Sequence, residues 1–288
     1  NYWNYVSKID LTKNEINKID NYFIQQKYGK NQKWSFLDKI NLTDTKKIYK
    51  KLDLKREKLV FSIFPPISWD STGCSHTLEE LDFYEIIDFI VKNMHKYKNI
   101  QFVIRSHPAE SNVPKYLQSS ISIIDTLTQQ NPNLPNNVFL IPGNSEISSH
   151  SLCSLSDEVF FYSSTLGLEI LNKKKKVNCI GVQSYYSQKS FTNDIINKND
   201  LLKFFEKFNT DFINIKKRTG MPILNDKQHK EVKNLAYYIR FKLHSTLSII
   251  KRGILIPTIF RYVAYKNYSK NLQSYLEGKR LPFDLNQN

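Results

Sequence analysis

The stretch Asp157-Glu158-Val159-Phe160-Phe161-Tyr162-Ser163-Ser164-Thr165-Leu166-Gly167-Leu168-Glu169-Ile170-Leu171 decides the fold class. Glu158 to Tyr162 is short, apolar and aromatic, which predicts a buried strand. Three hydroxyl residues follow at once, and Leu166 to Asn172 carries a helix pattern. Four lysines then lead to Val177-Asn178-Cys179-Ile180-Gly181, a second short strand. Strand, hydroxyl-rich turn, helix and strand make a βαβ unit. Its turn sets small side chains and backbone N–H groups at the positive end of a helix, where a phosphate binds well. The simpler reading is that Ser163 and Ser164 only cap that helix.

Outward from this unit the same alternation repeats. Lys58 to Phe64 is a strand stopped by Pro65 and Pro66, with the polar turn Asp70-Ser71-Thr72 beyond it. Leu78 to Lys96 has an amphipathic helix pattern. Asn99 to Ile104 is the next strand, and Arg105-Ser106-His107-Pro108-Ala109-Glu110 leaves its end. The proline holds His107 extended. Arg105, His107 and Glu110 crowd one strand exit, and Arg or a protonated His pairs well with a phosphate oxygen. A helix within 114–130, a strand over Val138–Ile141 and a short helix over Ser148–Leu155 complete the series. The pattern predicts an α/β chain, a Rossmann-like doubly wound parallel sheet with helical N- and C-terminal segments. Boundaries fall at 1–57 (helical connector), 58–190 (Rossmann-like domain) and 191–288 (basic helical region).

In the first segment Thr12 and Glu15 have capping-box spacing, and a further helix is expected over Asp44–Leu52. The polar residues after Gly181 read as a loop, with helices from Asp200 onward.

Composition narrows the function classes. The 288 residues carry 42 Lys and Arg against 27 Asp and Glu, a net charge of +15. That favours an anionic partner: nucleic acid, an acidic membrane surface or a negatively charged substrate. Lys is abundant throughout, so part of the charge is compositional. The first ten residues lack a signal-peptide pattern, and no apolar run is long enough to span a bilayer. The chain begins with Asn1, as a fragment would. Three widely spaced cysteines fit neither a zinc motif nor a disulfide framework and suit a reducing cytoplasm. Gly-x-Gly-x-x-Gly and Walker loops are absent, which disfavours nicotinamide, flavin and P-loop roles. From Lys227 to Lys270, cations alternate with aromatic and aliphatic residues. Such a segment suits an anionic membrane surface on the inner face, or equally a packed helix with a solvated basic side.

Arg105-Ser106-His107-Pro108 at one strand exit and Ser163-Ser164-Thr165-Leu166-Gly167-Leu168-Glu169 at another resemble the donor half of bacterial capsule-polysaccharide glycosyltransferases. The nearest likeness is to Kdo-transferase-like proteins, and sialyltransferases with His-Pro and Ser-Ser/Thr motifs look similar in the same places. The resemblance covers roughly 58 to 190, including Val177–Gly181 with Tyr185 and Tyr186 behind it. It implies a GT-B fold of two Rossmann-like halves, of which this chain supplies the C-terminal donor half. It further implies that His107, Ser163 and Ser164 contact a nucleotide phosphate, with Arg105, Pro108, Glu110, Thr165 and Gly167 around them. Glu169 would face the ribose or base, and Ser71 and Thr72 would border the sugar. Asp70 is the local candidate for the base. The partners expected are a nucleotide-sugar donor, a CMP-linked one among the options, and a glycan or glycolipid acceptor. No cofactor and no metal are expected, and no nucleic acid.

Two alternatives stand beside this reading. CDP-glycerol-type glycerophosphotransferases pair Arg-x-His-Pro with a Ser-Ser turn, but usually in an Asp-Tyr-Ser-Ser form, and Phe161 stands where that Asp would be. A non-enzymatic, basic nucleic-acid-binding protein is suggested by charge alone.

Overall fold

A computed structural model describes residues 2–27, 42–67, 83–112, 122–182, 184–218 and 220–243. The helices are α1 (Tyr2–Val6), α2 (Lys13–Lys27), α3 (Thr45–Lys51), α4 (Phe83–Asn93), α5 (Ala109–Asn112), α6 (Ile123–Gln130), α7 (Ser149–Leu155), α8 (Thr165–Asn172), α9 (Lys198–Thr210), α10 (Phe212–Lys217) and α11 (Asp226–Tyr237). The strands are β1 (Leu59–Phe64), β2 (Ile100–Arg105), β3 (Val138–Ile141), β4 (Glu158–Phe161), β5 (Val177–Ile180) and β6 (Thr192–Ile195).

All six strands are parallel, in the order β3-β2-β1-β4-β5-β6. The chain therefore winds outward from β1 to one side, returns, and winds from β4 to the other. Right-handed crossovers then place the helices before β2 and β3 on one face and those before β4 and β5 on the opposite face. This is the doubly wound, Rossmann-like α/β fold that the strand and helix periodicity predicts.

The strands are continuous apolar runs because both faces are covered. On one face Phe61 sits among Phe102, Phe160 and Phe208, with ring centroids 5.8, 5.5 and 5.3 Å away. Ile86, Ile87, Ile90 and Val91 of α4 and Leu201 and Phe205 of α9 close that side. On the other, the hydroxyls of Ser62 and Ser156 meet at 2.6 Å beneath α7. Asp157, just before β4, and Glu158, its first residue, clamp the sheet's N-terminal edge. Asp157 accepts from the Val60 N–H at 2.8 Å and pairs with Lys216 at 3.1 Å. Buried Glu158 pairs with Arg218 at 2.7 Å and accepts from Asn178 at 2.8 Å.

One element differs from the sequence reading. The polar segment after Gly181 contains β6, which extends the sheet past residue 190. Its sequence Thr-Asn-Asp-Ile alternates too weakly to stand out as a strand. The chain divides into two units, one running from Phe23 to His229 and one combining the first 22 residues with those from Lys230 onward.

In that second unit Thr12 and Glu15 form the expected capping box, with reciprocal bonds of 2.8 and 3.3 Å. Lys230 and Lys233 pair with Asp10 and Asp20, and the Arg240 guanidinium lies 4.5 Å from the centre of the Tyr22 ring. Val232, Leu235 and Ala236 are buried. The described start of the basic segment is thus a packed helix with paired cations; residues 244–288 lie outside the described residues. Among the described residues, no helix is long and apolar enough to cross a membrane.

Candidate functional site

The topology reverses between β1 and β4, and ligands of open α/β sheets collect outside the carboxyl ends of the strands at such a point. Register fixes what lies there. Phe64 of β1 is level with Phe161 of β4, and their rings stack at 5.1 Å. Continuing the β1–β2 register by one residue sets Arg105 level with Phe64. Two residues beyond this row come His107 after β2, Pro66 after β1 and Ser163 after β4. His107 and Ser163 therefore follow the two strands that flank β1 on the same edge, strands whose tips are two spacings, about 10 Å, apart. They are not on adjacent strands, because β1 runs between them. Phe64, Pro65, Pro66, Tyr162 and Ile180 line a small apolar pocket below this edge.

His107 is half-buried, and its ring is held from behind. The Ala109 N–H donates to Nδ1 at 3.1 Å. A neutral imidazole in that setting carries its proton on Nε2, so the ring needs no positive charge to act as a donor. The turn beneath it is tight: Glu110 N–H donates to the His107 carbonyl at 3.0 Å. Gly143 packs against that carbonyl, where an added Cβ would come within 2.9 Å.

Ser164 is the N-cap of α8, with extended backbone at φ −109° and ψ 136°. Its hydroxyl oxygen accepts from the Leu166 N–H at 3.3 Å, which still leaves its proton to donate. The capping reading of this turn is therefore correct, and it is compatible with binding an anion. Tyr186, fully buried, donates from its hydroxyl to the Ser164 carbonyl at 2.8 Å. Gly167 makes room for it: a Cβ there would lie 2.2 Å from the Tyr186 oxygen. Thr165 is exposed at the head of the helix and Pro108 is half-buried beside His107.

Three expected ligand contacts are engaged elsewhere. Arg105 ends β2 instead of leaving it and is 1% exposed. Its guanidinium donates to the carbonyls of Pro142 and Ser145, tying β2 to the loop after β3. Burial pushes it down to about 10, still cationic at neutral pH. Glu110 is buried too and accepts from the Ser106 hydroxyl. Desolvation raises its carboxyl above the ordinary carboxylate range. Both residues support the His107 turn from inside the protein. Glu169 pairs with His150 of α7 at 3.1 Å, and Lys173 lies 3.3 Å from the other nitrogen of that imidazole. Asp70, Ser71 and Thr72 lie outside the described residues.

Sequence reasoning missed the role of Tyr186 and the His150–Glu169 pair. Gly167 is the available signal for the first, since glycine inside a helix is costly and marks close approach. Nothing in the spacing of His150 and Glu169 announces the second. Cys153 and Cys179 are buried thiols, both raised by desolvation.

No family model matches the chain, and neither does any curated protein. Solved structures do. The beta-Kdo 2,4-transferase KpsC of Thermosulfurimonas dismutans is 12% identical with a TM-score of 0.42, over 78% of this chain and 56% of that one. The UDP-GlcNAc 2-epimerase of Neisseria meningitidis, bound to UDP-GlcNAc, is 13% identical with a TM-score of 0.42, over 80% and 52%. The wall teichoic acid polymerase TagF is 14% identical with a TM-score of 0.35, over 93% and 53%. The matched part is thus about half the length of each of these structures.

Proposed function

We propose that this chain is the donor half of a GT-B glycosyltransferase of bacterial surface polysaccharide synthesis. It takes a sugar from a nucleotide-sugar donor, a CMP-linked one being the first candidate, and passes it to a glycan or glycolipid acceptor. The observation that carries this reading is the placement of His107 and the Ser163–Ser164 turn. They follow the two strands on either side of β1, at the carboxyl edge of one sheet.

The chemistry follows from that edge. The bond between the sugar's anomeric carbon and the phosphate oxygen breaks, and a bond to the acceptor oxygen forms. Negative charge grows on the departing phosphate. The Nε2–H of His107, the serine hydroxyls and the α8 N-terminus are fixed before reaction and meet that charge as it develops. The acceptor hydroxyl gives its proton to a base, for which Asp70 is the proposed group. No cofactor is assigned, and the phosphate charge is met by protein donors in place of a metal. We place the protein in the cytoplasm, with the basic segment beyond Leu243 resting on the anionic inner membrane surface.

Calorimetric titration with CMP, CDP, UDP and a short DNA duplex tests the assignment. Saturable binding of a nucleotide, lost in His107→Ala, supports it. Salt-sensitive DNA binding without nucleotide affinity overturns it in favour of the charge-based reading.

A further inference from the structure

The loop after β5 holds an aromatic ring beside the Ser163–Ser164 turn. Among the described residues few large apolar side chains are exposed, yet Val182 is 39% exposed and Tyr185 38% exposed on this one loop. Exposed apolar groups gathered at a sheet's ligand edge are informative in a way that scattered ones are not. Ser187 anchors the described residues of this loop. The Ser187 hydroxyl contacts the carbonyls of Val182 and Ser184 at 2.9 and 2.6 Å, and the Ser187 N–H donates to Ser184 at 2.9 Å. Gly181 turns the chain out of the strand at φ +81°, a conformation that disfavours other residues.

Tyr186 joins this loop to the neighbouring one. Its ring is buried and its hydroxyl holds the Ser164 carbonyl. The Tyr185 ring stands edge-on to the Tyr186 ring, 5.1 Å away at 86°. One side chain thus fixes the serine turn, while the residue before it presents a partly exposed aromatic ring next door. β4 and β5 are adjacent strands, so these two tips are one strand spacing apart.

We infer that the loop bearing Val182 and Tyr185 is a nucleobase shelf, on which Tyr185 stacks the base of the nucleotide whose phosphate sits at Ser163–Ser164. This rests on the nucleotide-binding reading above and adds the site of the base. An aromatic face accepts any base, so the shelf supplies affinity while hydrogen bonds from other groups choose among bases.

Calorimetry of the whole chain with CMP, CDP and UDP, and with ribose 5-phosphate as a baseless control, tests the shelf. In Tyr185→Ala, affinity for the best-bound nucleotide should fall about tenfold, while ribose 5-phosphate binding stays unchanged. Tyr185→Phe should keep the wild-type preference for the nucleotide over ribose 5-phosphate. If Tyr185→Ala binds the nucleotide as wild type does, the shelf is wrong and the phosphate site stands. Equal losses for both ligands overturn the shelf in favour of a structural role for Tyr185. If wild type binds none of these compounds, the nucleotide reading itself fails and the shelf goes with it.

Discussion

The Tyr186 hydroxyl donates to the Ser164 carbonyl at 2.8 Å, and Gly167 is the only residue type that leaves room for it: an added Cβ would sit 2.2 Å from the Tyr186 oxygen. Two effects oppose each other at position 167. Helix propensity favours alanine over glycine by about 1 kcal/mol. Overpacking against a buried ring costs about 1–3 kcal/mol. Because Tyr186 is fully buried and cannot swing away, packing should win. Gly167→Ala is expected to lower the urea midpoint, whereas an increase would mean that Tyr186 moves freely.

The His107 ring has one nitrogen, Nδ1, held by the Ala109 N–H, and the proposed phosphate contact falls to the other. Asparagine can replace the inner acceptor, and glutamine can reach the outer position. His107→Asn should fold with wild-type stability and lose nucleotide affinity by about tenfold, the worth of one charge-assisted hydrogen bond. His107→Gln should retain more of that affinity. The opposite order in calorimetry would place the contact at Nδ1.

Glu110 gives a pH signature. Its folded pKa is raised, chiefly by desolvation, so its favourable contribution is full below the ordinary carboxylate value and is lost as pH rises through the folded value. Glu110→Gln does not ionise and escapes that loss. The stability of Glu110→Gln relative to wild type should therefore increase from pH 4 to pH 8 in denaturant titrations. A flat difference would show that the carboxylate is well paired inside the protein.

Arg218 is the cationic partner of a carboxylate that is otherwise enclosed, Glu158. Removing it leaves that charge to Asn178 alone. Arg218→Ala should cost about 2 kcal/mol, below the figure for a fully buried pair because the Arg218 side chain is 35% exposed. Adding Glu158→Gln should recover most of the loss. No recovery would assign the cost to the Arg218 contact with the Phe208 ring instead.

Membrane association is checked by cutting after Leu243, which keeps the packed part of α11 intact. Co-sedimentation with anionic vesicles should be lost in the shortened chain and should weaken with salt in the full one. Equal sedimentation of both would remove the membrane role from the basic segment.

Much of the sheet was legible in the sequence because its strands are buried on both faces and read as apolar runs. β1, β3, β4 and β5 lie within a residue of their expected limits, and so does α8. β6 was not legible, because an edge strand of Thr, Asn, Asp and Ile lacks that signature. At the site, strand-end position marked His107 and Ser164 correctly as edge residues. The same reasoning expected Arg105 and Glu110 to face a ligand, and in the structure both are buried on protein partners. Charge next to a strand end suggests a ligand, but one residue of extra strand turned Arg105 inward to carbonyl partners. Long-range pairs such as His150–Glu169 and Tyr186–Ser164 depend on how helices and loops are set side by side, and local spacing does not encode that.

The crystal structure of the chain soaked with CMP tests the central claim most directly. The account predicts the phosphate between His107 Nε2 and the Ser163–Ser164 turn, above the β1 tip. A phosphate bound at another edge of the sheet, with His107 and Ser164 both untouched, would contradict it.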